Sequence, residues 1–347
     1  MIRVLVAEDS VTVRKRLCEV LAGDAELLVV GEAADGRHAI EACQALRPDV
    51  ITMDMMMPEV SGLVATEHIM AHCPTPILVV SASTNRGELF RTYDALAAGA
   101  VDVLEKPLGD EPDGDWERRL LAAVKLVARI RVITHLRGRH AARQSALPAP
   151  GAARSPGPAC RVIAIGASTG GPGAVVEVLR ALPPSLRVPV LLVQHINEPF
   201  GSAFAEWLDG QTPRRTRYAR DGEALDAVAG GVVMAPPGQH LLLAHGRLLL
   251  SHAPPRHSCR PSVDLLFESI ALDCGAAAAA CLLTGMGRDG AAGLLALRRA
   301  GGQTIAQDEA TSVVYGMPRE AAQLGAARQI LPLTEIGPAL AAWVHTR

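Results

Sequence analysis

Five short apolar runs in the N-terminal third of the chain alternate with stretches of helical periodicity. The runs are Ile2–Ala7, Leu27–Gly31, Val50–Met53, Ile77–Ser81 and Val101–Leu104, with helical patterns near 11–22, 36–46, 62–71, 86–97 and 115–130. Runs this short and this continuously apolar are strands buried on both faces. Helices must then cover the sheet on both sides, and the strand–helix–strand order makes the sheet parallel. In such a sheet ligand chemistry gathers beyond the carboxyl ends of the strands. The pattern resumes after residue 160, with strands expected at Val162–Ile165, Val190–Gln194, Gly231–Ala235, Ala278–Leu283 and Gln303–Ala306. Helices are expected near 173–181, 200–208, 262–272, 289–300, 317–323 and 334–344. His240–Leu250 reads as a β-hairpin turning at His245-Gly246.

A change of composition separates the two units. Residues 128–160 hold six arginines and no acid, and Leu147–Ala159 is dense in Pro, Ala, Gly and Ser. That is the composition of a solvated linker. The expected organisation is a unit at 1–127, a linker at 128–159 and a larger unit at 160–347. Hydrophobic residues make up 49% of the chain and aromatics only 3%, so Ala, Val and Leu must fill most of the cores. A formal charge of −2 sets up no field that favours nucleic acid or a membrane surface. No apolar run approaches the ~20 residues of a membrane span. The start of the chain turns acidic at Glu8-Asp9, directly after one strand, unlike a secretion signal. Seven cysteines without a C-x-x-C pair fit reduced thiols. Together these features describe a soluble, cytoplasmic α/β protein.

Glu8 and Asp9 close the first strand and Asp54 closes the third. In a doubly wound sheet those strands are neighbours, so three carboxylates converge. Converging carboxylates call for a cation, and an oxygen-only set suits Mg²⁺. Ser81 brings a hydroxyl at the end of the fourth strand, and Lys106 an ammonium after the fifth. A carboxylate, a metal, a hydroxyl and an ammonium make a phosphoryl-acceptor site. Residues 1 to about 125 closely resemble a two-component receiver domain, through Asp54, Met57-Pro58, Gly62 and Lys106-Pro107. The resemblance implies phosphorylation of Asp54, with Glu8, Asp9, Asp54 and the Met56 carbonyl around Mg²⁺. It makes Ser81 and Lys106 the switch residues, and a histidine kinase the phosphodonor. Receivers usually carry an aromatic residue three before the lysine; this chain has Val103.

In the second unit the strand Val162–Ile165 runs straight into Gly166-Ala167-Ser168-Thr169-Gly170-Gly171-Pro172 and then a helix. Small residues beside the serine permit close approach, and a helix N-terminus offers free N–H groups. The turn serves equally a hydrolase nucleophile, a phosphate cradle or a purely structural bend. It lacks the G-x-G-x-x-G spacing and the lysine of a P-loop. A nucleophilic serine needs a base and an orienting acid. His195 ends the next strand, beside Ser168. His240, His245, His252 and His257 are expected at the surface of the hairpin and its loop. Asp289, in Leu283-Thr284-Gly285-Met286-Gly287-Arg288-Asp289-Gly290, suits either a helix cap or the orienting acid. Met286 and Gly287 bring backbone N–H groups to the same rim, as an oxyanion hole requires.

GASTGGP, VQHIN, RPSVD (Arg260–Asp264) and LTGMGRDGA follow in order across the second unit. Together they resemble the catalytic domain of CheB-type chemotaxis protein-glutamate methylesterases. With the receiver in front, the resemblance covers essentially the whole chain. It implies a flavodoxin-like (βα)5 receiver domain followed by a doubly wound, mainly parallel α/β methylesterase domain. It implies a Ser168, His195, Asp289 triad, an oxyanion hole at Met286 and Gly287, and a shaping role for Thr169. The reaction would hydrolyse glutamate γ-methyl esters on methyl-accepting chemoreceptors without a cofactor, with the receiver packed against the catalytic domain. Some relatives also deamidate receptor glutamines. His195-Ile196-Asn197 departs from the usual His-Met-Pro of the family. Two other classes remain: a nucleotide binder using the glycine-rich turn, and a transcriptional regulator using the arginine-rich segment. No helix-turn-helix pattern supports the latter.

Overall fold

The computed structural model describes residues 1–82, 85–107, 114–130, 132, 160–196 and 199–345. The arginine-rich and proline-rich linker therefore lies almost wholly outside the described residues, as does Asn197. The first domain comprises β1 (Ile2–Ala7), α1 (Val11–Ala22), β2 (Leu27–Ala33), α2 (Gly36–Leu46), β3 (Val50–Met53), α3 (Gly62–His72), β4 (Ile77–Ser81), α4 (Arg86–Ala97), β5 (Asp102–Glu105) and α5 (Asp115–Val127). All its strand pairs are parallel, in the order β2-β1-β3-β4-β5. β3 and β4 are buried along their whole length, as covering helices on both faces demand. Ser10, Asp35, Ser61 and Asn85 cap α1 to α4, each accepting from a backbone N–H three residues on.

The second domain comprises β6 (Val162–Ala167), α6 (Gly171–Ala181), β7 (Val190–Gln194), α7 (Phe204–Gln211), β8 (Thr216–Tyr218), β9 (Val232–Met234), β10 (His240–Ala244), β11 (Arg247–Ser251), α8 (Val263–Asp273), β12 (Ala278–Leu282), α9 (Ala291–Arg299), β13 (Gln303–Gln307), α10 (Met317–Gln323), β14 (Gln329–Leu331) and α11 (Leu333–His345). Seven strands form one wholly parallel sheet, ordered β14-β13-β12-β6-β7-β9-β8. β10 and β11 form the expected hairpin. His245 and Gly246 at its turn have φ of 51° and 69°, as a type I′ turn requires. The short strands β8 and β14 were not expected. They are the two edges of the sheet and have three residues each, too few to show a burial period.

The domains share a core. Leu89, Tyr93 and Ala97 of α4 are buried in one cluster with Val175, Leu179, Phe204 and Trp207 of the second domain. Tyr93 meets Phe204 edge-on at 5.3 Å and Trp207 at 5.6 Å. Its hydroxyl donates to the Phe200 carbonyl at 2.5 Å, and Trp207 Nε1 donates to Asp94 Oδ1 at 2.8 Å. Phe90, Tyr93, Phe200, Phe204 and Trp207 are half of the ten Phe, Trp and Tyr residues in the chain. The scarce aromatics are thus concentrated where two domains meet, and aliphatic side chains fill the individual cores. α6 comes so close to α4 that a Cβ on Gly173 would stand 2.8 Å from the Ala97 carbonyl.

Candidate active site

β12, β6 and β7 lie side by side, so the residues that leave their carboxyl ends converge. The ladder runs one residue past the strands: Ser168 N–H donates to the Thr284 carbonyl at 3.1 Å and His195 N–H to the Ala167 carbonyl at 2.9 Å. Ser168 is half-buried at the turn into α6. A Cβ on Gly285 would lie 2.7 Å from Ser168 Cβ, so only glycine lets the β12 loop close over the serine. Gln194, not singled out from the sequence, ties the two loops together. Its Nε2 donates to the carbonyls of both Ser168 and His195, each at 2.9 Å. At the end of the apolar run of β7 it reads only as one more strand residue.

Asp289 is 2% exposed and accepts four hydrogen bonds. Oδ2 takes His195 Nε2 at 2.9 Å and Val263 N–H at 2.7 Å; Oδ1 takes Ser262 Oγ at 2.8 Å and Asp264 N–H at 3.1 Å. The last three donors come from the N-terminus of α8, where the helix dipole favours an anion. Asp289 therefore serves the first turn of α8 as well as the histidine. Its own helix, α9, starts from Gly290 without a side-chain cap. Burial pushes the Asp289 carboxyl up, but the bonds to His195 and α8 outweigh it and hold the pKa below the ordinary value. His195 responds in the opposite direction. Burial disfavours its charge, yet Asp289 and Cys259 raise its pKa to about 9. Because a carboxylate can only accept, Nε2 carries the ring proton and Nδ1 is left for chemistry. Among the described residues Ser168 Oγ makes no hydrogen bond to His195. Cys259 Sγ, 3.8 Å from Nδ1, is the neighbour instead.

One expectation is corrected. His240 is not at the surface: it is fully buried, and its Nδ1 accepts from Ser262 N–H at 3.1 Å. The hairpin folds back onto α8, and burial lowers the His240 pKa. His257 also has a partner, Asp264 Oδ2 at 3.2 Å from its Nε2.

Met286, Gly287, Cys259, Arg288 and Asp289 line an open cleft of about 770 Å³. Among the described residues no protein acceptor takes the N–H of Met286 or Gly287. Ser168 and Thr169 open instead into a separate cavity of about 140 Å³. Leu96, Val101, Asp102 and Val103 of the first domain form its far wall. The first domain thus closes the space over Ser168, with Val103 at that wall.

In the first domain Glu8, Asp9 and Asp54 place carboxylate oxygens within 4.8 Å of one another. Glu8 and Asp54 are 1% and 3% exposed. Lys106 Nζ stands 2.9 Å from Glu8 Oε2 and 3.0 Å from Asp54 Oδ1. Burial and the Asp54 charge push the Glu8 carboxyl up despite Lys106. Burial opposes the Lys106 charge, but Asp54 and Glu8 prevail and raise its pKa. One ammonium against this carboxylate set leaves an excess of negative charge that an oxygen-seeking divalent cation fits. Ser81 is buried, and its hydroxyl donates to the Ala82 carbonyl at 3.3 Å.

Two families of known proteins match the chain. Residues 163–340 match the CheB methylesterase family and residues 4–112 the response regulator receiver domain. The chain is 47% identical over 339 residues to "Protein-glutamate methylesterase/protein-glutamine glutaminase 2" of Anaeromyxobacter dehalogenans, covering 98% of this chain and 96% of the relative. A protein-glutamate methylesterase/protein-glutamine glutaminase of Myxococcus xanthus is 42% identical over 342 residues, with 98% and 96% covered. The solved CheB methylesterase catalytic domain of Thermotoga maritima is 33% identical, with a TM-score of 0.51, covering 53% of this chain and 99% of that one. No helix among the described residues is long and apolar enough to cross a membrane. Two sheets, two sets of strand-end side chains and relatives that match from end to end lead to one conclusion: this chain belongs to the CheB methylesterase family, with a response regulator receiver domain before its catalytic domain.

Proposed function

We propose that the chain hydrolyses glutamate γ-methyl esters on methyl-accepting chemoreceptors, and deamidates receptor glutamines by the same chemistry, under control of phosphorylation at Asp54. The observation that carries this reading is the convergence of Ser168, His195 and Asp289 beyond three adjacent strands, with His195 Nε2 bound to Asp289. Ser168 Oγ attacks the ester carbonyl and His195 Nδ1 takes its proton. Met286 and Gly287 N–H groups receive the oxyanion, and Thr169 shapes the cavity beside Ser168. The imidazolium then protonates the leaving methoxide, and methanol departs. Water, deprotonated by the same nitrogen, releases the glutamate. Asp289 keeps the proton on Nε2 and stabilises the imidazolium. We set the receiver at 1–127, the linker at 128–159 and the catalytic domain at 160–347, with α5 ending at Val127.

His195 must be neutral to act as base. With its pKa raised from 6.5 to about 9, the docked arrangement holds an imidazolium near neutral pH. The pair's stabilising effect is complete below 6.5 and is lost as pH rises through about 9. Unphosphorylated enzyme should therefore gain kcat/KM with rising pH across that interval. Cys259→Ser removes one cause of the raised value and should move the rise to lower pH. A profile flat from pH 6.5 to 9 argues against His195 as base.

In the receiver Asp54 attacks the phosphorus of a histidine kinase phosphohistidine or small phosphodonor. Glu8, Asp9, Asp54 and the Met56 carbonyl would hold Mg²⁺, which when bound neutralises charge on the phosphoryl oxygens. Lys106 pairs with the phosphoryl group, and Ser81 turns from the Ala82 carbonyl toward it. The added charge disfavours the docked state and uncovers Ser168. Seven free cysteines, with none disulfide-bonded, support a cytoplasmic setting.

The test is methanol release from methylated receptor membranes with Mg²⁺, before and after a small phosphodonor. Release should rise on phosphorylation, and Asp54→Ala should abolish the rise while keeping basal release. Tyr93→Ala removes the aromatic contact and the bond to Phe200, so basal release should rise about tenfold without phosphodonor. Asp94→Ala, which removes only the Trp207 bond, should move it the same way with less risk to folding. No release from any preparation would refute the esterase, and unchanged basal release in both interface variants would refute the docking control.

A further inference from the structure

Cys259 places a thiol on the open side of His195. Its Sγ lies 3.8 Å from Nδ1, the ring nitrogen that Asp289 leaves free, and 3.4 Å from the His257 carbonyl. The donor atoms of His195, Cys259 and Asp289 all fall within 4.8 Å of one another. We propose that Cys259 Sγ and His195 Nδ1 form a binding site for a thiophilic divalent cation such as Zn²⁺, and that its occupancy switches the esterase off.

Four features converge on this site. Tetrahedral zinc, with bonds of about 2.3 Å to sulfur and 2.0–2.1 Å to nitrogen, sets its donors about 3.6 Å apart. The observed separation needs an adjustment of only tenths of an ångström. A sulfur and an imidazole nitrogen select zinc, whereas the all-oxygen set at Asp54 selects Mg²⁺, so the two domains do not compete for one ion. Asp289 holds Nε2–H in the manner of the carboxylates that orient zinc-bound histidines. Cys259 lines the wide 770 Å³ cleft, so a hydrated cation reaches the thiol from the side away from the cavity over Ser168, which His195 lines.

Binding forms one metal–sulfur and one metal–nitrogen bond. The thiol proton, and the Nδ1 proton wherever the ring is charged, leave to solvent. Nε2 keeps its proton, no electron is transferred, and water fills the positions facing the cleft. The lone pair that must accept the Ser168 proton is then occupied. This consequence rests on the reading of His195 as base; the site itself does not.

The experiment uses the full-length chain in saturating Mg²⁺, which fills the carboxylate cluster. Co²⁺ is titrated in as a spectroscopic substitute for zinc, and Zn²⁺ is titrated against methanol release. Wild type should show a thiolate-to-cobalt charge-transfer band in the near ultraviolet that Cys259→Ser lacks. The Zn²⁺ concentration for half-inhibition should rise about tenfold or more in that variant, each measured against its own uninhibited rate. A band absent from wild type, or equal in the variant, overturns the site and leaves the catalytic reading standing. A Cys259-dependent band with turnover untouched by Zn²⁺ overturns the switch, and with it the assignment of Nδ1 as base.

Discussion

Ser168→Ala should lower methanol release by about 10⁴-fold or more and leave the fold intact. The two halves of that expectation come from different observations. The Ser168 hydroxyl makes no hydrogen bond among the described residues, so its removal strands no buried partner. The backbone of the turn is held independently, by Ser168 N–H to Thr284, by Gly171 N–H to the Ser168 carbonyl at 2.7 Å, and by Gln194. Melting temperature and receptor affinity should therefore match wild type. The chemical step loses its nucleophile, and what remains is the contribution of binding and of the Met286 and Gly287 donors. Steady-state kinetics on methylated receptor membranes decide the matter: a loss smaller than tenfold would mean that Ser168 is not the attacking group.

Asp289→Asn should cost about 10⁴-fold in kcat and, unlike the serine variant, should also destabilise the protein. The carboxylate accepts from His195, Val263, Ser262 and Asp264. An amide offers one acceptor oxygen. If its NH₂ group takes the place of Oδ2, it faces the N–H of Val263 and donates to Nε2, which drives the ring proton onto Nδ1. That tautomer cannot take a proton from Ser168. If the amide is reversed, Asp264 N–H loses its acceptor. Each arrangement leaves a buried backbone donor unsatisfied, at a cost of about 1–3 kcal/mol. The lowered pKa of Asp289 gives the same group a second signature. Its stabilisation is present above the ordinary carboxylate value and is lost as pH falls through the lower folded value, so wild type and variant should converge in stability in strong acid. Equal stability near neutral pH would show that Asp289 does not support the first turn of α8, and kcat within tenfold that it does not orient His195.

How much of this was readable from residue order varies from element to element. Continuous burial of Val50–Met53 and Ile77–Ser81 makes them strands wherever they sit, because a run apolar on both faces must be covered on both. The edge strands Thr216–Tyr218 and Gln329–Leu331 left no such trace, since half of an edge strand's pairing capacity and much of its surface face outward. His240 was misplaced because a leucine-rich hairpin reads as a surface ribbon until α8 is packed on it. Ser262 and Gln194 stand in RPSVD and VQHIN without a role of their own for a related reason: their partners are 27 and 26 residues away in sequence.

The order of residues by itself determined the parallel α/β architecture of both domains, the side chains carried past each strand end, and the family to which they belong. Local periodicity and turn chemistry suffice for that, because a parallel sheet brings successive strand ends to one edge. Only the tertiary structure decided which ring nitrogen of His195 is free, that Asp289 rests on the first turn of α8, that Cys259 faces Nδ1, and that Val101 and Val103 wall off Ser168. Those are contacts between segments far apart in the chain. They depend on strand order, on the docking of α4 against α6 and α7, and on rotamers chosen by the assembled core, none of which a local pattern encodes.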